Sequence, residues 1–339
     1  MIDNQQFTIT INERREFRST PGVSLLTALK GQQVFIPSAC GGRGACGLCK
    51  VRVVRGPHSP LSSKERFHLT EEEQRQGLRL SCQVPVDQAM AVAIPDGYFH
   101  AKEYRAEVAD IRNLTHDIRE LQLRLIDPPV LAFKAGQYIE LQIPRYAQVQ
   151  RLSFRAYSIA SPPSSPDRIE LEIRWIPHGL GTTYIFKHLK LHDQVMFHGP
   201  HGDFYLRESP RDIILIAGGS GMAPMKSILL DMRERHDPRT TRYFFGARNR
   251  RDLFLVDEMK RLELDLPDFK FIPALSQPLP DDSWHGETGL IMDVVDRHID
   301  SNRPADTYLC GSPAMINACL AVLTRKGFSD DRIFFDKYS

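Results

Sequence analysis

The sequence has no long hydrophobic run. None of its 339 residues lies in a stretch of roughly 18 consecutive apolar residues, the length of a membrane-spanning helix. The first ten residues, MIDNQQFTIT, lack the apolar core of a secretory signal peptide. Neither sign of charge is in large excess, since 44 Lys and Arg against 42 Asp and Glu give a net charge of +2. This balance does not favour binding to nucleic acid or to an anionic membrane. We therefore expect a cytoplasmic or peripheral protein of two or three domains without a transmembrane segment.

Cysteine is scarce and unevenly placed. The six cysteines are Cys40, Cys46, Cys49, Cys82, Cys310 and Cys319. A secreted disulfide framework would distribute cysteine pairs through a short chain, and this chain is neither short nor patterned in that way. Three of the six lie together in PSACGGRGACGLCKVRV (residues 37–53), which favours metal ligation over disulfides.

The hydrophobic pattern divides the chain into three regions. Residues 1–98 combine short alternating strands with one helix-like segment, SLLTALKG, and predict a small α+β domain. Residues 103–207 alternate apolar and polar side chains between Pro and Gly clusters, which predicts an antiparallel β-barrel. In residues 208–339, strand-like runs such as DIILIAG alternate with helix-like runs such as APMKSILLDMRER, which predicts a parallel α/β sheet.

The spacing Cys40-x5-Cys46-x2-Cys49, with Cys82 much farther along, predicts the kind of metal centre. Four thiolates with a long gap before the last ligand are typical of a 2Fe–2S cluster. Glycines between the cysteines fit this centre, because backbone that wraps a cluster needs φ values that side chains resist. Structural zinc is the alternative, but zinc ribbons usually carry two Cys-x2-Cys pairs, and only Cys46 and Cys49 form one here.

At these residues the first region resembles the β-grasp 2Fe–2S ferredoxin domains. The five-residue gap between Cys40 and Cys46 is similar to that of adrenodoxin-type ferredoxins and of the F subunits of Na⁺-translocating NADH:quinone reductases, whereas plant-type ferredoxins have four residues there. We interpret the four cysteines Cys40, Cys46, Cys49 and Cys82 as the ligands of a 2Fe–2S cluster.

The string RAYSIAS places a cation, an aromatic ring and a hydroxyl group close together. Arg155 can neutralise a diphosphate, Tyr157 can pack its ring on a flat heterocycle, and Ser158 offers a hydroxyl group beside them. Farther on, GLGTTYIF provides Gly181, where backbone can approach a phosphate, and Thr182 as a further donor. Taken alone, the string fits equally well an ordinary strand with an outward arginine and a core tyrosine.

The context of this string resembles the FAD domain of the ferredoxin–NADP reductase superfamily. FKAGQYIELQIP precedes it and HGPHGDF follows it, in the order and spacing of that superfamily. The resemblance implies that Arg155, Tyr157 and Ser158 hold FAD, with Ser158 near the N5 edge of the flavin.

The string IAGGSGMAPM follows a strand-like run and opens a helix-like one. Gly218, Gly219 and Gly221 allow a pyrophosphate to approach the backbone, and a helix N-terminus attracts such a group. Pro224 stands where a Rossmann fingerprint has its last glycine, so the string alone also fits an ordinary strand–helix turn. It resembles the pyridine-nucleotide motif of the same superfamily.

The two remaining sites lie near the end of the chain. CGSPAM also resembles that nucleotide motif, which implies that Cys310 and Gly311 end a strand where the nicotinamide lies. Cys319, by contrast, falls on the apolar face of a helix and is expected to pack in the core. In the terminal FFDKYS, Tyr338 matches the aromatic residue that covers the second flavin face in this superfamily, and a frayed tail is the alternative.

The order ferredoxin, FAD, NAD covers the whole chain. It is similar to the NADH-dependent reductase components of bacterial multicomponent oxygenases, including soluble diiron monooxygenases. The resemblance implies electron transfer from NADH through FAD and a 2Fe–2S cluster, with Ser158, Cys310 and Tyr338 beside the reacting atoms. NADPH stays possible, because the arginines of GARNRRDLF can bind a 2′-phosphate.

The expected electron acceptor is a protein, either an oxygenase or hydroxylase component or a small ferredoxin. A quinone reductase module is the alternative enzyme, and a zinc-stabilised binding protein is the alternative outside enzymes. Residues 1–100 carry 12 Lys and Arg against 9 Asp and Glu. Four basic residues crowd the loop of residues 37–49, here called the cysteine loop, and the strand that follows it: Arg43, Lys50, Arg52 and Arg55. We therefore expect an acidic docking patch on the partner.

Overall fold

The computed structural model describes residues 6–56, 59–146, 152–301 and 304–337. The chain divides into two compact units. The first unit comprises Met1–Arg105, Ile139–Ala156 and Val195–His201, and the second comprises Ala106–Tyr138, Tyr157–Gln194 and Gly202–Ser339. The domain bounds 1–98, 103–207 and 208–339 stay a prediction.

The N-terminal region forms a five-stranded mixed sheet. Its strands are β1 (Phe7–Ile11), β2 (Arg15–Ser19), β3 (Lys50–Arg55), β4 (Leu78–Leu80) and β5 (Met90–Ala93), in the order β2-β1-β5-β3-β4. The β1–β5 pair is parallel and the others are antiparallel. Helix α1 (Leu25–Lys30) begins after Ser24, whose hydroxyl accepts a hydrogen bond from the Thr27 N–H, and it packs Leu25 and Leu29 against this sheet. The predicted β-grasp fold is confirmed.

Two short helices between Cys49 and Cys82 were not predicted. They are α2 (Ser63–His68) and α3 (Glu71–Arg75). Each begins with a capping box. The hydroxyl group of the N-cap residue accepts a hydrogen bond from the backbone N–H three residues later, and the glutamate side chain at that later position accepts one from the N-cap backbone N–H. The pairs are Ser62 with Glu65 and Thr70 with Glu73.

The middle region forms a six-stranded sheet in the order β10-β7-β6-β11-β8-β9. Its strands are β6 (Lys102–Asn113), β7 (Ile118–Asp127), β8 (Tyr138–Ile143), β9 (Ser153–Ser158), β10 (Arg168–Arg174) and β11 (Gln194–His201). An antiparallel bridge between Ile159, just after β9, and Leu171 on β10 links the two edges of the sheet. The barrel prediction is confirmed, and the one helix described in this region is α4 (Leu180–Lys187).

The C-terminal region is a parallel sheet covered by helices. Its strands are β12 (Asp212–Gly218), β13 (Thr241–Ala247), β14 (Phe269–Leu275), β15 (Glu287–Thr288), β16 (Ala305–Gly311) and β17 (Ile333–Lys337), in the order β15-β14-β13-β12-β16-β17. Its helices are α5 (Met222–Glu234), α6 (Val256–Asp265), α7 (Ile291–His298) and α8 (Pro313–Arg325). Neighbouring strands of this sheet pair in parallel, as predicted.

Strand β12 is buried on both faces. Ile213 and Leu215 pack with side chains of α5 and α6, whereas Ile214 and Ile216 pack with side chains of α7 and α8. This explains the unbroken apolar run of DIILIAG, because a parallel strand between two helix layers has no polar face. Cys319 on α8 is fully buried in the second layer, as expected. Every helix in the described ranges is too short or too polar to cross a membrane.

Candidate functional site

Four cysteines come together in the first unit. The Sγ atoms of Cys46 and Cys40 are 3.4 Å apart. Strand β3 follows Cys49 and β4 precedes Cys82, and the two strands pair antiparallel. The Ser81 N–H then donates to the carbonyl oxygen of Cys49 at 2.8 Å. Strand pairing therefore delivers the distant fourth thiol to the three thiols of the loop.

Glycine is required where the cysteine loop meets helix α2. Gly44 and Gly47 both have φ of +69°. A Cβ at Gly44 would lie 2.7 Å from Cδ of Lys64, and a Cβ at Gly47 would lie 2.7 Å from Nδ1 of His68. The left-handed backbone and the close packing both exclude larger residues at these two positions.

Hydrogen-bond donors surround the Cys40 sulfur. The Cys46 thiol and the backbone N–H groups of Ala45, Cys46 and Arg43 lower the pKa of the Cys40 thiol, although burial opposes them. These donors favour the thiolate, which is the form of cysteine that binds metal. N–H···S bonds of this kind also help to set the potential of an iron–sulfur cluster.

Cys82 has a similar environment. The Cys49 thiol, the Gln83 side-chain amide and the Gly44 N–H lower its pKa to about 7, again against burial. The amide nitrogen of Gln83 lies 3.3 Å from the Cys82 sulfur. The four sulfurs are clustered, N–H groups are directed at them, and glycines allow the loop backbone to pack closely. This arrangement fits a 2Fe–2S cluster.

Arg155 on β9 contacts the cysteine loop. Its Nη1 donates to the carbonyl oxygen of Ala39 at 3.1 Å and to that of Phe154 at 2.6 Å. The loop also packs on this strand at Gly41, where a Cβ would lie 3.6 Å from Cα of Ser153. A guanidinium group has five N–H donors, so these bonds leave donors for a diphosphate.

The other predicted FAD residues lie in the second unit. Tyr157 and Ser158 end strand β9, with Tyr157 half-buried and Ser158 buried. Gly181 and Thr182 are buried in the first turn of α4, which has no side-chain cap. The Thr182 hydroxyl donates to the carbonyl oxygen of Ile176 at 3.1 Å and so closes the loop before the helix.

The predicted nucleotide motifs meet at the carboxyl ends of two neighbouring strands. Ala217 on β12 lies opposite Cys310 on β16. Gly221 is so close to this strand that a Cβ there would overlap the Cys310 carbonyl group. Helix α5 starts next, without a side-chain cap, and Pro224 lies buried in its first turn. Uncapped N–H groups at a helix start are suited to bind a pyrophosphate.

The remaining predicted glycines line the same edge. Met315 on α8 packs against two of them, because its Sδ lies 3.1 Å from the Cβ position of Gly218 and its Cε 2.7 Å from that of Gly311. Gly219 has φ of +58°. The sequence-predicted nucleotide residues are thus brought together.

Asp336 is a candidate site residue that the sequence did not single out. It lies opposite Cys310 in the β16–β17 pairing. Burial raises the pKa of its carboxyl group to about 6. Carboxyl groups with a shifted pKa are often functional. In the sequence, the position of Asp336 within FFDKYS was the signal that could have pointed to it. Tyr338 lies outside the described residues.

Three domain families match the chain in order. They are the 2Fe–2S iron–sulfur cluster binding domain over residues 9–87, the oxidoreductase FAD-binding domain over residues 105–205, and the oxidoreductase NAD-binding domain over residues 215–320.

Curated relatives align along the whole chain. The F subunit of the Na⁺-translocating NADH-quinone reductase of Neisseria gonorrhoeae is 33% identical, covering 100% of this chain and 93% of the relative. The F subunit of the Klebsiella pneumoniae enzyme is also 33% identical, with the same coverage. The chain belongs to this family. It is therefore an oxidoreductase with 2Fe–2S, FAD and NADH as cofactors, as predicted.

Solved structures agree over the full length. The Amycolatopsis cytochrome P450 reductase GcoB superposes with a TM-score of 0.80 at 30% identity, covering 98% of both chains. The ferredoxin reductase in carbazole 1,9a-dioxygenase superposes with a TM-score of 0.75 at 26% identity, covering 99% of both chains.

Proposed function

We propose that this chain is the reductase of an oxygenase system, which takes electrons from NADH and delivers them singly to a protein acceptor. The observation that carries the proposal is the hydrogen bond from Arg155 to Ala39. It joins the side chain predicted to bind FAD to the residue before Cys40, so the FAD-binding strand and the cysteine loop are in direct contact. The matched reductases of a cytochrome P450 and of a carbazole dioxygenase support an oxygenase as the final acceptor.

Each cofactor has its proposed ligands. When bound, NADH supplies a hydride, FAD separates the electron pair, and the cluster carries single electrons. The proposed cluster ligands are Cys40, Cys46, Cys49 and Cys82. The proposed FAD residues are Arg155, Tyr157, Ser158, Gly181, Thr182 and Tyr338, and the proposed NADH residues are Gly218, Gly219, Gly221, Pro224, Cys310 and Gly311.

These residues act by placement. Glycines at the ends of β12 and β16 let the nucleotide approach the backbone, while the start of α5 attracts its pyrophosphate. Buried Cys310 and Ser158 keep water from the reacting atoms. Donors around the cysteine sulfurs stabilise negative charge there.

The surface beside the cysteine loop suits a protein acceptor. Phe67 on α2 is 84% exposed and Leu48 in the loop is 40% exposed. The His68 ring lies against Gly47, the chain neighbour of Leu48, and packs edge-on against the Phe67 ring. An exposed aromatic residue at the loop is a typical anchor of a protein interface.

Charge at this surface favours an acidic partner. Arg52 and Arg55 are exposed on β3, whereas Lys50 pairs with Glu73 at 2.6 Å and contributes less. We place the reaction in the cytoplasm, where NADH is available. Electrostatic docking predicts that the rate of acceptor reduction falls steeply as salt is added.

A quinone reductase module is the second candidate. The 33% identity to the F subunit of an NADH-quinone reductase and the five-residue gap between Cys40 and Cys46 favour it. The two candidates differ in their acceptor, since a quinone is a small neutral molecule and an oxygenase component is a protein.

Anaerobic titration with NADH tests the shared proposal, and acceptor assays separate the candidates. We expect NADH to bleach both flavin and cluster absorbance bands. A purified oxygenase component should then oxidise the reduced protein in a salt-sensitive reaction, faster than a short-chain ubiquinone does. A colourless protein, or one that NADH does not bleach, would contradict the proposal, and faster salt-insensitive oxidation by ubiquinone would favour the second candidate.

A further inference from the structure

Glu140, His198 and His201 form a buried polar chain in the first unit. Their exposed fractions are 0%, 4% and 2%. Nδ1 of His198 lies 2.8 Å from Nε2 of His201, and Nε2 of His198 lies 3.5 Å from Oε2 of Glu140. None of the three belongs to the cofactor ligands proposed above, so their burial needs its own explanation.

The chain ends at the cysteine loop. Oε1 of Glu140 accepts a hydrogen bond from the Ser38 N–H at 2.6 Å. Ser38 in turn organises the turn that contains Cys40, because its carbonyl oxygen accepts from the Gly41 N–H at 2.7 Å and its hydroxyl from the Gly42 N–H at 3.0 Å. Ser38 thus connects the Glu140 carboxyl group to the turn that contains Cys40.

The middle of the chain, His198, packs between aromatic rings. The His198 ring stacks on Phe35 with centroids 5.1 Å apart and lies 4.7 Å from the Phe154 ring. The ammonium of Lys30 on α1 lies 4.2 Å from the Phe154 centroid. Its charge and that of the Cys40 thiol are the other charges that act on Glu140.

Burial keeps the histidine rings neutral. It lowers the pKa of His198 to about 2 and that of His201 to about 3. Burial also raises the pKa of Glu140 to about 8. A protonated Glu140 can accept from Ser38 with one oxygen and direct its proton toward His198 with the other, although no hydrogen bond forms across their 3.5 Å separation in the structure.

One metal ion is the alternative occupant. One ligand atom from each of Glu140, His198 and His201 lies within 4.8 Å of the others. However, the His198 ring stands between its neighbours, with Nε2 toward Glu140 and Nδ1 toward His201. One ion would meet only one of these nitrogens, and 2.8 Å is a hydrogen-bond distance. The geometry favours a hydrogen bond between the two histidine rings over a shared ion.

We propose that Glu140 is a positioning residue of the 2Fe–2S centre: buried beside His198, it fixes the Ser38–Cys40 segment and thereby raises the reduction potential of the cluster. The inference rests on the proposed cluster ligands. N–H groups directed at the Cys40 sulfur stabilise the reduced cluster, which carries more negative charge. Release of Ser38 loosens these donors, so the potential falls.

Two variants of Glu140 test the proposal by potentiometric titration of the holoenzyme, followed by absorbance and electron paramagnetic resonance. Glu140→Gln keeps an acceptor for Ser38 and a donor for His198, so its cluster potential should match the parent. Glu140→Leu removes the acceptor. Its ratio of oxidised to reduced cluster at a fixed applied potential should rise about tenfold, which for one electron is about 59 mV.

Controls separate this effect from general disturbance. Glu172→Leu alters another buried glutamate, in the second unit, and should leave the cluster potential unchanged. The flavin potential, read in the same titration, should not move in any of these variants. His198→Phe keeps an aromatic ring between Phe35 and Phe154 but removes the ring nitrogen that faces Glu140 at 3.5 Å, so the cluster potential should fall in the same direction.

The outcomes are distinct. An unchanged potential in Glu140→Leu, or an equal fall in Glu140→Gln, overturns the proposal. If Glu140→Leu does not keep its cluster, His198→Phe decides, and an unchanged potential there overturns it. One bound non-cluster metal ion per parent chain, lost in His198→Phe, would replace it with a metal site. Absence of a cluster from the parent protein would instead reject the proposed function.

Discussion

The guanidinium group of Arg155 donates a hydrogen bond to the carbonyl oxygen of Ala39, the residue before Cys40. The sequence predicted Arg155 as a ligand of the FAD diphosphate and gave it no part in the cysteine loop. In the structure this side chain supports the loop, and the proposed function assigns its remaining donors to the diphosphate. Its removal should therefore affect two cofactors and not one.

Replacement of Arg155 by alanine should weaken FAD binding ten- to a hundredfold. A charge-assisted contact to a phosphate contributes roughly 1.5–3 kcal/mol. The variant should also lose its cluster absorbance faster on incubation, because Ala39 loses its donor. FAD release can be followed by flavin fluorescence after dilution. Arg168→Ala, at an exposed arginine on β10, should retain both cofactors, and full FAD occupancy in Arg155→Ala would contradict the assignment.

Replacement of Cys82 by alanine should remove the cluster and spare the flavin. Three thiolates leave one iron site open, so cluster absorbance should be absent or unstable. NADH oxidation with ferricyanide needs only the flavin and should remain near the parent rate, while reduction of the protein acceptor is lost. Cys319→Ala changes a thiol in the core of α8 and should keep both activities. A folded Cys82→Ala protein that reduces the acceptor normally would show that the cluster is not on the electron path.

Replacement of Gly221 by alanine should impair NADH binding selectively. The new Cβ would overlap the Cys310 carbonyl group, so the turn before α5 must move away from β16. We expect a KM for NADH at least about tenfold higher, which is about 1.4 kcal/mol, with flavin and cluster spectra unchanged. Gly97→Ala is the matched control, because nothing lies within 4 Å of its Cβ position. Equal KM values for the two variants would show that the overlap is relieved at no cost to the site.

The pH dependence of stability should reveal a protonated glutamate beside Lys226. Lys226 is buried and bonds to Glu170 at 2.9 Å, while Glu172 lies 3.9 Å from it with no hydrogen bond to either carboxylate oxygen. Burial raises the pKa of Glu172 from 4.5 to about 8. Between these values the folded protein keeps a proton that the unfolded chain has lost, so this group destabilises the fold increasingly as pH rises.

Glu172→Gln should therefore be more stable than the parent at high pH. Its melting temperature should equal that of the parent near pH 4.5 and exceed it above pH 8, by about 2–4 °C for each kcal/mol gained. Glu170→Gln should act in the opposite sense and lower the melting temperature at neutral pH, because it removes the nearest partner of a buried cation. A stability difference in Glu172→Gln that does not grow with pH would show that Glu172 is ionised in the folded protein.

Much of the fold could be read from periodicity and motifs. The run DIILIAG indicated a strand of the parallel sheet, and the cysteine spacing indicated which thiols share a centre. Helices α2 and α3 were missed although Ser62 and Thr70 each precede a glutamate by three residues, because five- and six-residue helices carry too little periodicity to be recognised.

The Glu140 chain could not be predicted from the sequence. In GQYIELQIP the alternation of apolar and polar residues predicts that Glu140 points to solvent. The structure buries it because the segment before Cys40 covers that face of β8, with the Ser38 N–H on its carboxyl group. His198 and His201 lie more than fifty residues farther along the chain, so only the tertiary fold brings the three side chains together.

The pairing of β3 with β4 determines at which stage of folding the cluster can be fully ligated. Three of the proposed ligands are close neighbours in the chain and are available as soon as the loop is made, but Cys82 arrives only when β4 docks beside β3. A partly folded chain can bind iron through three sulfurs without enclosing it. Stable retention of the cluster thus indicates that this sheet is complete. In a strain that folds the protein poorly, we expect colourless protein without its cluster to accumulate before the total amount of the protein falls.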